Sequence, residues 1–192
     1  MKVTICLGKA PSDVIELWDS IYHKELNWLP PVTKHSLDSD PYQRSSIYFV
    51  AHLGAETIGT IRLVRPINGL LPAELNAGGF PLVKHGKKIE LTRLMVAKQY
   101  RGSRGPGCPN GVFLGLMNSA LIFAASKMVV HTLMDVRVPS APHSIANKLK
   151  KLNFIGLGNE YPDPLGSHFL NCTTLVRTND LYSTKGTHGI GH

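Results

Sequence analysis

Apolar and polar residues alternate over residues 2–7, and the β-branched content there marks a short edge strand. The period then changes. Val14, Leu17, Trp18 and Ile21 recur at helical spacing, Ser12 stands where a cap belongs, and Asp13 and Glu16 fall in the first turn. This helix should stop before Pro30 and Pro31, and the polar stretch 33–46 reads as a loop. Residues 47–53 and 57–64 form two strand patterns joined by Gly54-Ala55-Glu56, a hairpin turn. An irregular excursion with glycines and prolines covers 69–86. It leads into the apolar strand 89–96, which carries Glu90 and Arg93. After a glycine-rich stretch, 102–111, the pattern predicts a helix over 112–127 and a strand over 128–136. A helix over 140–152, capped by Ser140 or the turn at Pro142, a strand over 169–177 and a loose tail at 183–192 complete the chain. A hairpin followed by alternating helix and strand implies an α/β (α+β) architecture, a mixed sheet with helices on both faces. No repeat or long linker divides the 192 residues, so 1–192 reads as one domain.

Composition narrows the function classes. Hydrophobic residues make up 43% and charged residues 18%, a balance that can fill a core and that disordered chains lack. The most apolar run, 112–130, is broken by Asn118, Ser119, Ser126 and Lys127, which fits a buried helix and strand and not a membrane span. Nothing in the sequence resembles a signal peptide, and three scattered cysteines give neither a disulfide framework nor a zinc pattern. Reduced cysteines fit a cytoplasmic protein. The nine histidines show no ligand spacing, so no metal is expected. The net charge of +8 points to an acidic partner, which nucleic acid, anionic lipid or an acidic protein could each supply. No nucleic-acid-binding motif is present, which argues against a nucleic-acid-binding module.

The segment with most chemistry is 90–105. A buried strand runs into a basic loop containing Gly102, and that loop opens a long apolar helix. Free N–H groups at a helix start, with glycines allowing close approach, suit a phosphate-bearing ligand. Val96, then Gln99-Tyr100-Arg101-Gly102-Ser103-Arg104, resembles the acyl-carrier loop of the GNAT acyltransferases. The match departs from that pattern at Arg104, where the family has a small residue, and in the insert 106–109. Both departures point away from coenzyme A pyrophosphate. The series Tyr22 to Pro30, Asp40-Pro41-Tyr42, Ile58-Gly59-Thr60-Ile61-Arg62-Leu63 and Glu90-Leu91-Thr92-Arg93-Leu94 resembles, in that order, the N-acyl amino acid synthases and the acyl-homoserine lactone (autoinducer) synthases. Gln43 and Arg44 stand where the lactone synthases carry an acidic residue, which favours the amino acid synthases, and among those the long-chain N-acyl tyrosine synthases.

The resemblance implies a GNAT fold, its central sheet splayed at the acyl site, and transfer of a long-chain fatty acyl group onto an amino acid. The donor would be the acyl-phosphopantetheine of an acyl carrier protein, with no permanently bound cofactor. The alternatives are a lactone synthase using S-adenosylmethionine and a coenzyme A-dependent acetyltransferase. It also assigns roles. Glu90 is the candidate base or else half of a buried ion pair with Arg62 or Arg93, and a bulge between Glu90 and Arg93 would bring both to one face. Backbone amides at Met95 and Val96 are the candidate oxyanion donors. Arg62 would take the acceptor's carboxylate and Asp40 its ammonium, unless Arg62 is a solvent-facing arginine and Asp40 a turn former. Trp28, Phe113 and Met117 are candidate pocket liners. Gln99, Arg101, Gly102, Arg104, Lys148, Lys150 and Lys151 are candidates for the carrier side. His143, at a helix start, is a second candidate base or a capping residue.

Overall fold

A computed structural model describes residues 1–27, 30–31, 40–102, 108–138, 145–162 and 171–179. Strands β1 (Lys2–Leu7), β2 (Ile47–Leu53), β3 (Glu56–Val64) and β4 (Lys88–Val96) form an antiparallel run. Strand β5 (His131–Val138) then pairs with β4 in parallel. Strand β8 (Asn171–Thr178) pairs antiparallel with β5 and carries the two-residue strands β6 (Ile155–Gly156) and β7 (Tyr161–Pro162). The sheet order is β1-β2-β3-β4-β5-β8-β6, with β7 also on β8.

Helix α3 (Gly111–Ser126) and helix α4 (Ile145–Lys150) cover one face, burying Phe49, Ile61, Leu91, Leu116, Met117, Met134 and Leu149 in the main core. Each such side chain contributes about 1.5–3 kcal/mol through burial. Gly59 on β3 is where α3 comes closest. A Cβ there would stand 2.8 Å from a methyl of Val112, so a side chain would push the start of α3 off the sheet. The other face is covered by α1 (Ser12–Trp18) and α2 (Pro72–Asn76).

The expected strands and helices are present with small shifts, and three differences have physical causes. Ser12 is the first helical residue and not the cap, which is Pro11 and supplies no side-chain bond. The helix changes at Asp19 into a π-helical stretch, Asp19–Glu25, whose bonds reach one residue further, as in Leu26 N–H to the Ile21 carbonyl. Within the irregular excursion Glu74 organises a turn of helix: its carboxylate accepts the N–H groups of Leu71 and Leu82 and pairs with Lys88 at 2.7 Å.

Candidate active site

Strands β4 and β5 pair over only three positions, Lys88–His131, Ile89–Thr132 and Glu90–Leu133. Strand β4 continues six residues further, to Val96, with no strand partner on that side among the described residues. The sheet is therefore splayed there. On its other edge β4 follows β3, but the register shifts between Thr60 and Arg62, so that Arg93 and Leu94 together oppose Ile61. Arg93 takes the left-handed conformation, φ 51°, at this bulge. The bulge restores the face. Leu91 and Leu94 pack into the α3 core, whereas Arg93 turns to the face that holds Glu90 and Met95.

Backbone donors at the splay follow from the ladder. Ala97 N–H donates to the Ile58 carbonyl on β3, and the Val96 carbonyl, turned the other way, accepts Arg101 Nε at 2.8 Å. Donors alternate along a strand, so Val96 N–H faces away from β3 into the splay, while Met95 N–H faces β3. Of the two amides proposed as oxyanion donors, geometry leaves Val96 and removes Met95.

Asp40, Arg62 and Arg93 come together. Asp40 Oδ2 lies 2.5 Å from Arg62 Nη1 and 3.1 Å from Arg93 Nη2. Its other oxygen accepts the N–H of Tyr42 at 2.9 Å, so Asp40 both forms the turn before Tyr42 and anchors the arginines. Burial would raise the Asp40 carboxyl, but Arg62 and Arg93 outweigh it and hold Asp40 below its ordinary value. Arg62 is 4% exposed and also donates Nε to Thr92 at 2.9 Å, so it is a buried arginine and not a solvent-facing one. The Arg93 guanidinium stacks 4.4 Å from the centre of the Trp18 ring, worth about 2 kcal/mol where water is excluded. Trp18 also packs against Tyr48, whose hydroxyl donates to the buried Gln43 at 2.6 Å.

Glu90 makes neither expected ion pair, because both arginines pair with Asp40. It is 2% exposed and accepts the N–H of Ala73 in α2 at 2.8 Å. Burial, then the neighbouring Asp135 charge, push its carboxyl well above its ordinary value, against the pull of the Ala73 hydrogen bond and Arg62. Direct proton abstraction by Glu90 would require a substrate inside the closed core, so its action on an amine requires a relay. A carboxyl held up in this way stabilises the fold fully below its unfolded value near 4.5, and that contribution is lost as pH rises toward the folded value. Glu90→Gln copies the neutral form. Its melting temperature relative to the parent should therefore rise in thermal unfolding as pH increases from 4.5 through the range between the unfolded and folded values. A difference that stays constant as pH rises above 4.5 means that Glu90 does not titrate with the fold.

The carrier-side residues are divided. Lys148 on α4 lies 5.4 Å over the ring of the half-buried Phe113 in the first turn of α3, with Lys150 and Lys151 exposed nearby in the chain. Arg101 is tied to Glu25 by two bonds, at 2.5 and 2.8 Å, and Gln99 donates to Glu56 at 3.1 Å. An open cleft of about 520 Å³ runs beside these, lined by Ile21, Glu25, Glu56, Thr57, Ala97 and Gln99. Gly102 adopts φ 75° in the loop after β4. Met117 is wholly buried in the main core, so it borders no open cavity. Trp28, Arg104 and His143 lie outside the described residues.

The sequence reading missed Asp135, Tyr161 and Thr174. Thr174 donates its hydroxyl to Asp135 at 3.0 Å, Asn159 donates to Thr174 at 3.1 Å, and Tyr161 meets Thr174 at 3.3 Å. Burial, then Asp135, raise the Tyr161 phenol far above its ordinary value, so it stays protonated. One signal was legible: an aspartate set between the apolar residues Leu133, Met134 and Val136 of a strand.

Solved structures share this arrangement of strands and helices. FeeM, an N-acyl amino acid synthase from uncultured soil microbes, matches with a TM-score of 0.62 at 13% identity, over 92% of this chain and 90% of that one. BjaI, a coenzyme A-dependent acyl-homoserine lactone synthase, matches with a TM-score of 0.60 at 16% identity, over 91% of this chain and 82% of that one. An acyl-CoA N-acyltransferase from Pseudomonas aeruginosa matches with a TM-score of 0.61 at 12% identity, over 92% and 99%. The fold is that of the GNAT acyltransferases. At these identities the likeness is one of fold. No protein-family model matches the sequence, and no curated protein matches it. Among the described residues no helix is long and apolar enough to cross a membrane.

Proposed function

We propose that this chain is an N-acyltransferase that moves a long-chain fatty acyl group from the phosphopantetheine arm of an acyl carrier protein onto the amine of an amino acid. The observation that carries the reading is the splay between β4 and β5, with Val96 N–H directed into it and the Asp40–Arg62–Arg93 cluster on the adjoining face. A thioester carbonyl at Val96 N–H would meet a donor fixed before the reaction begins. The acceptor's ammonium first loses a proton. The amine nitrogen then bonds to the carbonyl carbon, the carbon–sulfur bond breaks, the nitrogen gives up a second proton, and the carrier thiolate takes one up. The net change is amide, carrier thiol and one proton released. Glu90 is closed under the site and its raised pKa favours the protonated form, so the proton lost by the ammonium passes to solvent, and Glu90 would exchange protons with the acceptor only through a relay. The order of Gly59, Arg62, Glu90 and Arg93 along the chain supports the choice of N-acyl amino acid chemistry within the fold.

An acidic carrier protein suits the positive flank formed by Lys148, Lys150 and Lys151 beside the start of α3. Arg101 contributes less to it, since Glu25 answers its charge. Exposed charges are screened over about 8–10 Å at physiological salt, so docking should weaken as salt rises. A dodecanoyl carrier-protein thioester should outcompete dodecanoyl-coenzyme A at equal concentration. Changing all three lysines to glutamate should raise KM for the carrier thioester with little change in kcat. Better use of the coenzyme A thioester, or salt-insensitive docking, rejects this donor.

The experiment that tests the whole reading is expression in a bacterial host followed by mass spectrometry of organic extracts. N-acyl amino acids are the expected products. Acyl-homoserine lactones would move the chain to the other synthase group, and N-acetylated products alone would reject the long-chain reading.

A further inference from the structure

The polar face of the sheet continues past Glu90 onto β5. Leu133 packs with Tyr42, Val64 and Val176 on the face of α2, while Met134 and Val136 enter the opposite core. Side chains alternate along a strand, so Asp135 and Arg137 follow Leu133 on the α2 face. Leu133 is the last β5 residue to pair with β4. Asp135 and Arg137 therefore stand where the two strands have separated, on the same face as Glu90. Thr174, opposite Asp135 in the register, donates to its carboxylate and is itself held by Asn159 and Tyr161, which sets the orientation of Asp135. Asp135 and Arg137 are both half-buried, in contrast to the closed Glu90, and both are held by contacts within the fold.

An α-amino acid presents an ammonium and a carboxylate on one carbon. Of the pair first suggested for them, Arg62 is almost wholly enclosed with Asp40 as its counter-ion, whereas Asp135 and Arg137 are half-buried where the strands part. Using Arg62 for a substrate carboxylate would uncover a buried aspartate. A carboxylate and a guanidinium at successive same-face positions of β5 lie about 6.5 Å apart at Cα, within reach of both ends of one amino acid, given the length of an arginine side chain. We propose that Asp135 and Arg137 form the acceptor subsite, Asp135 receiving the ammonium and Arg137 the carboxylate. This rests on the reading of the chain as an amino acid N-acyltransferase.

The test compares an amino acid with the amine that lacks its carboxylate, using dodecanoyl carrier protein as donor. L-tyrosine against tyramine, L-phenylalanine against phenethylamine and L-leucine against 3-methylbutylamine are the probe pairs. The parent should favour the amino acid by about 10- to 100-fold in kcat/KM, the range of a charged hydrogen-bonded contact. Arg137→Gln should reduce that ratio to near one, mainly through KM for the amino acid, and Arg137→Lys should leave an intermediate ratio. Asp135→Asn, which can still accept the Thr174 hydroxyl, should raise KM for both members of a pair. A parent that acylates amine and amino acid equally overturns the subsite, whether or not the variants fold. So does an Arg137→Gln protein that keeps the full preference. A parent that acylates none of the six overturns the N-acyltransferase reading and the subsite with it. Transfer without the predicted preference overturns the subsite alone.

Discussion

Asp40→Asn is expected to lose about 3–5 kcal/mol of folding stability at pH 7, the cost of breaking a buried pair from one side. Asp40 is the anion that answers both Arg62 and Arg93, and Arg62 is almost wholly enclosed. An asparagine can keep the bond from Tyr42 N–H, yet it leaves two guanidinium groups close together in a poorly solvated place. For a chain of this size the melting temperature should fall by roughly 6–20 °C. The pH dependence has a definite direction. The folded carboxyl of Asp40 titrates below its unfolded value of 3.8, so its contribution is complete above that value and is lost as pH falls through the folded one. The gap between parent and variant should thus be widest near neutrality and close on acidification below pH 3.8. Urea unfolding between pH 3 and pH 7 measures it. A variant within 1 kcal/mol of the parent at pH 7, a loss typical of exposed pairs, would falsify the view of Asp40 as the anchor of the site.

Val96→Pro should lower acyl transfer about 100- to 1000-fold while the protein stays folded, because proline removes the one N–H assigned to the oxyanion. Two features make the substitution informative. Val96 N–H takes no part in the β3–β4 ladder, since its neighbour Ala97 supplies the bond to Ile58. The residue before it, Met95, is already extended in β4, as a residue preceding proline prefers. Met95→Pro is the contrasting variant: its lost N–H belongs to the ladder, and it should unfold or lose most of its stability. The measurements are single-turnover transfer from a carrier-protein thioester, with circular dichroism and melting temperature for folding. A folded Val96→Pro enzyme within threefold of the parent would mean that the thioester oxygen finds its donor elsewhere.

The fold was largely legible because the chain's periodicity changes at each element. Residues 2–7 alternate, Val14 to Ile21 follow helical spacing, and 112–127 form a long apolar helix, and each of these segments adopts the structure its pattern dictates. Such local patterns reflect a face seeking burial, and burial is decided one element at a time. Candidate chemistry was legible only as a set of residue types. Asp40, Arg62, Glu90 and Arg93 were picked out through the resemblance, and of these only Arg62, Glu90 and Arg93 stand in apolar strand patterns where charges are costly.

Their partnerships could not be read there. Asp40 and Arg93 are 53 residues apart, and their contact exists because one extra residue in β4 turns Arg93 across the sheet. A bulge depends on how β3 and β4 meet, so no local pattern announces it. The same displacement gave both arginines to Asp40 and left Glu90 to the amide of Ala73. Asp135 and Arg137 alternate with Met134, Val136 and Val138 in a strand that by pattern is an ordinary half-buried one. They became site candidates only once β5 was seen to leave β4 after Leu133. Sequence thus determined which segments bury a face and which charges stand in unusual places. Tertiary structure alone decided which charges meet, because ion pairing and strand separation are set by distances between segments remote in the chain.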